Sequence, residues 1–181
     1  MNWHECFTYV PETGDLVWKE RPREHFATDA GHRSFNRTWP GKIAGRKQSK
    51  PNGKPSHVAI GMNVKGRKRV TVLAHRAIWE MFEGSIPDSM VPDHVDRNGW
   101  NNRRSNLRLA TAEQNARNQG VSRNNRIGIK GVGYDHSWGK YIARIMVSGK
   151  SMFLGGFDTK GLAAAAYAKA ALRYHGQFAG L

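Results

Sequence analysis

The most restrictive feature of this chain is the stretch VPDHVDRNGWNNRRSNLRLATAEQNARNQG, residues 91–120. It is crowded with asparagine and arginine and holds few apolar side chains. Few solvated loops need so many amides. Two readings stand: a polar loop laid over a small core built elsewhere, or a set of side chains assembled to hold a metal ion against phosphate.

The flanks supply the core. In AHRAIWEMFEGSIP, Ala74, Ala77, Ile78, Met81 and Phe82 recur at helical spacing, which predicts an amphipathic helix stopped by Gly84 before Pro87. Thr111 with Gln114 three residues on is a capping-box pattern, so a short polar helix is expected over TAEQNARNQ. Upstream, YVPETGDLVWKE reads as two short strands about a turn, and HVAIGMNVKGRKRVTVL as a hairpin turning at Lys65-Gly66. Between them, residues 20–56 are rich in Gly, Pro and charge and read as long surface loops. Downstream, GVSRNNRIGIK (120–130) reads as a flexible basic linker. GVGYDHSWGKYIARIMVSGKSMFLGGF then predicts three short strands, and Asp158 or Thr159 caps an Ala-rich helix ending at Gly176. That helix is expected on one face of the sheet, with Trp138, Lys140, Arg144 and Lys150 on the other.

Charge narrows the partner. Lys and Arg number 29 against 14 acidic residues, a formal net charge of +15 spread along the chain. A folded basic protein most often meets nucleic acid. A membrane is a poor alternative, because no apolar run approaches the ~20 residues of a span. The opening MNWHECFTYV lacks a signal-peptide pattern. Cys6 is the only cysteine, so neither an intrachain disulfide nor a multi-cysteine zinc site can form within the chain, and a reducing cytoplasm is expected.

Within 91–120, Asp93-His94 follows an apolar approach with strand character, Asn106 comes twelve residues later, and Asn115 falls in the first turn of the expected helix. Asp and Asn offer hard oxygen ligands to a divalent cation, and a neutral imidazole can take a proton from water. Neighbouring residues on a regular strand point to opposite faces, so Asp93 and His94 can serve one phosphate only at a bend or strand end.

The run HRAIWEMFEGSIPDSMVPDHVDRNGWNNRRSNLRLATAEQNARN resembles the HNH endonuclease family in its phage and intron homing branch, in register over about residues 74–118. The resemblance implies a ββα-metal fold around one divalent cation, Mg²⁺ with Mn²⁺ as a substitute, and no zinc. It implies Asp93 and Asn115 as metal ligands, His94 as general base and Asn106 as the asparagine that fixes the loop and orients His94. Arg103, Arg104 and Arg108 are candidate phosphate contacts, with a solvated loop as the plainer reading. Asn101, Asn102 and Asn118 read as loop and cap residues, and His75 as a helix residue packed under the site.

The last 50 residues resemble the plant ethylene-response-factor (Apetala-type) DNA-binding domain, through GV…WGK…GK…LG.F.T…AA.AY. The resemblance implies a three-stranded sheet in the major groove, with Trp138, Arg144 and Phe153 facing DNA. Gly133, Asp135 and Met146 replace contacting residues of plant members, so plant target sequences do not transfer. Lys130, Lys140 and Lys150 are expected at phosphates.

The expected protein is α+β. A β-rich N-terminal extension (1–73) precedes a ββα-metal core (74–119), a linker (120–130) and a three-stranded antiparallel sheet with one helix (131–181). The function expected is metal-dependent endonuclease cleavage of double-stranded DNA by a monomer in the cytoplasm of a bacterial host, if phage-encoded. The alternatives are a catalytically inactive, sequence-specific DNA-binding protein, or an RNA-binding protein that fits the charge alone.

Overall fold

Alternation of apolar and polar residues builds the N-terminal half strand by strand. In a computed structural model that describes residues 2–67, 69–122 and 124–180, the chain divides into two units, Met1–Thr111 and Ala112–Leu181. In the first, β1 (Phe7–Val10) and β2 (Asp15–Trp18) form an antiparallel hairpin that buries Phe7, Leu16 and Trp18. The residues read as surface loops contain a helix, α1 (Asp29–Thr38), capped by Thr28 through a 3.1 Å bond from the Gly31 amide. Its Phe35 and the nearby Phe26 and Trp18 surround the guanidinium of Arg21, itself only 1% exposed. A ring-walled pocket for one cation leaves almost no apolar periodicity to read.

Strands β3 (Arg46–Ser49), β4 (Pro55–Met62) and β5 (Val70–Leu73) form an antiparallel sheet in that order. Val58, Ile60 and Met62 alternate inward along β4, each fully buried apolar side chain contributing roughly 1.5–3 kcal/mol. β5 runs directly into α2 (Ala74–Phe82), whose Ala74, Ala77 and Ile78 join the same core as expected. β6 (Met90–His94) then pairs antiparallel with β7 (Leu107–Thr111), with Asp93 opposite Arg108 and His94 opposite Leu107.

The second unit starts with α3 (Ala112–Asn118), which follows β7 without a break in the chain. The sequence reading grouped this helix with residues 74–119, whereas its backbone contacts group it with the C-terminal residues. β8 (Val132–Asp135), β9 (Lys140–Val147) and β10 (Lys150–Phe157) form an antiparallel sheet with β9 central, followed by α4 (Lys160–His175). Ser148 and Gly149, both at positive φ, make the tight turn between β9 and β10. Thr159 caps α4. Its Ala163, Tyr167, Ala170 and Ala171 pack on Val132, Ala143 and Ile145, so one sheet face is covered as expected.

Within the stretch 120–130, expected to be a flexible basic linker, residues 125–130 are held by hydrogen bonds; Arg123 lies outside the described residues. Asn125 accepts from the Ile127 and Gly128 amides and donates to the carbonyls of Ile129 and Val132. One side chain thereby organises the loop that enters β8.

Candidate functional site

His94 is the last residue of β6, and the chain turns at once, with the Arg97 amide donating to the His94 carbonyl at 3.0 Å. His94 thus stands at a strand end, while the regular pairing Asp93↔Arg108 and His94↔Leu107 keeps the two neighbours on opposite faces up to that point. Both side chains are buried, Asp93 at 7% and His94 at 9% exposure.

His94 Nε2 lies 2.9 Å from Oδ1 of Asn102, which is itself 2% exposed. An amide oxygen only accepts, so Nε2 carries the proton and the basic lone pair of the neutral ring is on Nδ1. Asn106 does a different job. Its Oδ1 accepts from the Asp96 amide at 3.0 Å, and its Nδ2 donates to Asp96 Oδ1 and the Asn101 carbonyl. Asn106 therefore fixes the loop as expected, and Asn102, expected as a loop residue, reaches the imidazole. Partial burial pushes the Asp96 carboxyl up, but donors from Asn101, the Asn98 amide and Asn106 outweigh it and hold its pKa below the usual carboxylate value.

The N-terminal extension braces this loop from two sides. Gly14, at φ +79°, sits so close that a Cβ would lie 2.5 Å from the Arg103 nitrogen and the Asn102 carbonyl carbon. Tyr9 Oη accepts from the Arg104 amide at 2.9 Å. On the other side, Trp100 Nε1 donates to the Gln48 carbonyl at 2.7 Å, and a Cβ on Gly99 would overlap the Ser56 carbonyl. Asn102 is thus placed by residues from three sheets of the first unit.

His75, on the first turn of α2, meets the His94 ring edge to face with centroids 5.0 Å apart. It packs under the site as expected. Burial pushes its pKa down to about 3, helped by the neighbouring His94, Arg76 and His57, so it is a neutral ring at physiological pH. Its Nδ1 is buried without a hydrogen-bond partner among the described residues.

The arginines expected at phosphates have protein partners. Arg108 is largely withdrawn from solvent across the strand pair and donates to Asp93 Oδ2 from Nε at 3.2 Å and Nη2 at 3.1 Å. It forms an ion pair with the Asp93 carboxylate. Arg103 donates to the Glu12 carbonyl and Asn101, and Arg104 pairs with Glu83 and lies over the Phe82 ring. These two are exposed, and such pairs contribute about 0–1 kcal/mol, so phosphate can compete for them.

In the second unit, Asn115 lies in the first turn of α3. Lys130, expected at a phosphate, donates its ammonium to the carbonyls of Arg117 and Gln119 at the end of that helix. On the sheet, directly paired residues share a face. Arg144 pairs with Phe153 and Ile142 with Gly156, all on the face away from α4. A Cβ on Gly156 would lie 2.6 Å from the Trp138 ring, so Trp138 covers that same face. Trp138 and Phe153 are more than half exposed there. Lys140 pairs with Asp158. Lys150 is the exception, since it pairs with Val147, whose row with Ile145 and Ala143 turns toward the helix. The register shift between Phe153 and Gly155 brings Gly156 onto the open face with Phe153.

Asp93 in the first unit and Asn115 in the second each carry a side-chain oxygen of the kind a hard cation takes. No group of three or more His, Cys, Asp or Glu among the described residues is placed to hold a metal. Nor is any helix among the described residues long and apolar enough to cross a membrane.

Residues 72–117 match the family described as HNH endonuclease. The chain is 36% identical over 106 residues to an uncharacterized HNH endonuclease, L560, of Acanthamoeba polyphaga mimivirus, covering 58% of this chain and 54% of that protein. It therefore spans about half the length of that relative. Over 105 residues it is 30% identical to Protein 3.8 of Escherichia phage T7, covering 58% of this chain and 86% of the phage protein. A solved structure described as DNA binding and cleavage by the HNH homing endonuclease I-HmuI aligns over 94% of this chain and 85% of its own, with a TM-score of 0.41 and 23% identity. Asp93, His94, Asn106 and Asn115 all fall inside the matched segment, and the chain belongs to the HNH endonuclease family.

Proposed function

We propose that this protein is a metal-dependent endonuclease of the phage homing type that hydrolyses phosphodiester bonds in double-stranded DNA. The observation that carries the reading is a buried Asp-His pair at the end of β6, with the imidazole oriented through Nε2 by Asn102. His94 Nδ1 takes a proton from the attacking water. The water oxygen bonds to phosphorus, the bond to O3′ breaks, and O3′ takes a proton from solvent, leaving a 5′-phosphate and a 3′-hydroxyl. Asn106 keeps the loop closed, so the ring does not reorient during the transfer. A divalent cation, Mg²⁺ or in its place Mn²⁺, held by Asp93 and Asn115, would stabilise the charge on phosphate and leaving oxygen.

Delivery to DNA is assigned to the C-terminal sheet. Its open face carries Trp138, Arg144 and Phe153, the positions that the ethylene-response-factor resemblance points to DNA. The net charge of +15 supplies sequence-independent attraction. A monomer with one such site nicks one strand per visit, and action in the cytoplasm of a bacterial host follows if the gene is carried by a phage.

One observation favours the rival reading of an inactive DNA-binding protein: Arg108 already engages the Asp93 carboxylate. Supercoiled plasmid incubated with Mg²⁺ or EDTA, with wild type and His94→Ala, separates the two. Metal-dependent nicking that His94→Ala abolishes is the expected result. Retardation of DNA by both proteins, without cutting in any divalent ion, overturns the nuclease reading.

A further inference from the structure

A seven-residue polar helix has little stability of its own. α3 is held by the C-terminal unit instead. The Lys130 ammonium donates to the Arg117 and Gln119 carbonyls, the second at 2.6 Å. These belong to the carbonyls that a helix end leaves without intrahelical partners, and a cation there also suits the helix dipole. The backbone of Gly180 closes on the same end, so near that a Cβ would lie 2.7 Å from the Asn118 oxygen and 2.9 Å from that of Arg117. Asn118 is only 5% exposed, and α3 packs on the turn Gly176–Phe178, whose Phe178 is buried. Lys130 is in turn anchored two residues before β8, in the loop that Asn125 organises.

We propose that Lys130 is a positioning residue for Asn115: it locks the last turn of α3 to the entry of the C-terminal sheet, so the DNA-reading unit sets where the helix holds its metal-ligand asparagine. The inference rests on the nuclease reading above. Lys130 then acts on the rate of cutting and not on affinity for DNA. A phosphate contact by the same residue has the opposite signature, weaker binding and a shallower salt dependence.

The test compares full-length wild type, Lys130→Met and Lys130→Arg in three measurements. These are amide hydrogen exchange of residues 112–119, the single-turnover nicking rate at saturating protein, and DNA affinity across a salt series. For Lys130→Met we expect faster exchange in α3 with the sheet still protected. Nicking should be at least about 10-fold slower, as for lost supporting contacts around metal ligands, with affinity and salt slope unchanged and Lys130→Arg restoring the rate. Lost affinity with a reduced salt slope and unchanged α3 exchange overturns the inference in favour of a phosphate contact. Should the sheet of Lys130→Met also lose protection, Lys130→Arg decides: wild-type rate and α3 exchange support the inference, and a slow rate with wild-type α3 exchange overturns it. If wild type cuts in no divalent ion although α3 exchange responds to Lys130→Met, the nuclease reading has failed, and the positioning role falls with it while the helix lock stands.

Discussion

Oδ1 of Asn102 lies 2.9 Å from Nε2 of His94, and the backbone that carries Asn102 is pressed against Gly14 of the first hairpin. The tautomer of the proposed base is thus set by a loop residue whose position depends on residues almost ninety places upstream. Asn102→Leu keeps the volume and removes the acceptor. It is expected to slow nicking by about 10–100-fold, the range for groups that orient a catalytic ligand, with DNA affinity unchanged. Gly14→Ala should share the phenotype, because its Cβ forces the Asn102-Arg103 backbone aside. Wild-type single-turnover rates in both variants would sink this assignment.

The Asp93–Arg108 pair predicts a link between metal and stability. Both side chains are nearly buried, and removing one partner of such a pair typically costs about 3–5 kcal/mol. Arg108→Gln should therefore lower the urea midpoint in EDTA. A cation bound at Asp93 replaces part of the lost positive charge, so Mg²⁺ should raise the midpoint of Arg108→Gln more than that of wild type. Equal responses to Mg²⁺ would show that Asp93 is not where the ion binds.

Much of this is legible in the sequence, for reasons tied to particular residues. The helix at Ala74, Ala77 and Ile78 and the hairpins around Gly14 and Gly149 declare themselves through spacing and turn chemistry. The strand leading to His94 is legible in the apolar approach of residues 90–92. α1 was not legible, since its packing depends on Phe35 meeting Trp18, Phe26 and the buried Arg21, contacts distant in sequence. Nor does spacing say which asparagine among 101, 102 and 106 reaches the imidazole. Arg108 and Lys130 look like phosphate arms in a basic chain until the cross-strand register and the end of α3 give them protein partners.

His75 predicts a pH dependence of stability. Its pKa in the folded chain is about 3 against about 6.5 unfolded, so the unfolded chain binds the proton more readily. The contribution is complete above about pH 6.5 and is lost as pH falls toward 3, at up to ~1.4 kcal/mol per pH unit. His75→Leu removes it. Urea unfolding from pH 4 to 8 should show a shallower acid limb in the variant, by about one proton. Parallel limbs would mean that His75 takes up its proton without unfolding pressure.

The two faces of the C-terminal sheet predict a division among its residues. Gly156→Ala puts a methyl group into the Trp138 ring, which must leave the open face without any change to the core on the α4 side. Affinity for DNA should fall roughly 10-fold, about 1.4 kcal/mol, while thermal stability stays near wild type. Arg144→Ala should weaken binding and reduce the salt slope by about 0.9. Lys150, paired with Val147 on the helix-side row, should behave differently. Lys150→Ala is expected to leave discrimination between DNA sequences intact in competition assays. If instead Lys150→Ala relaxed sequence preference while Gly156→Ala bound as wild type, the reading face would have to be the other one.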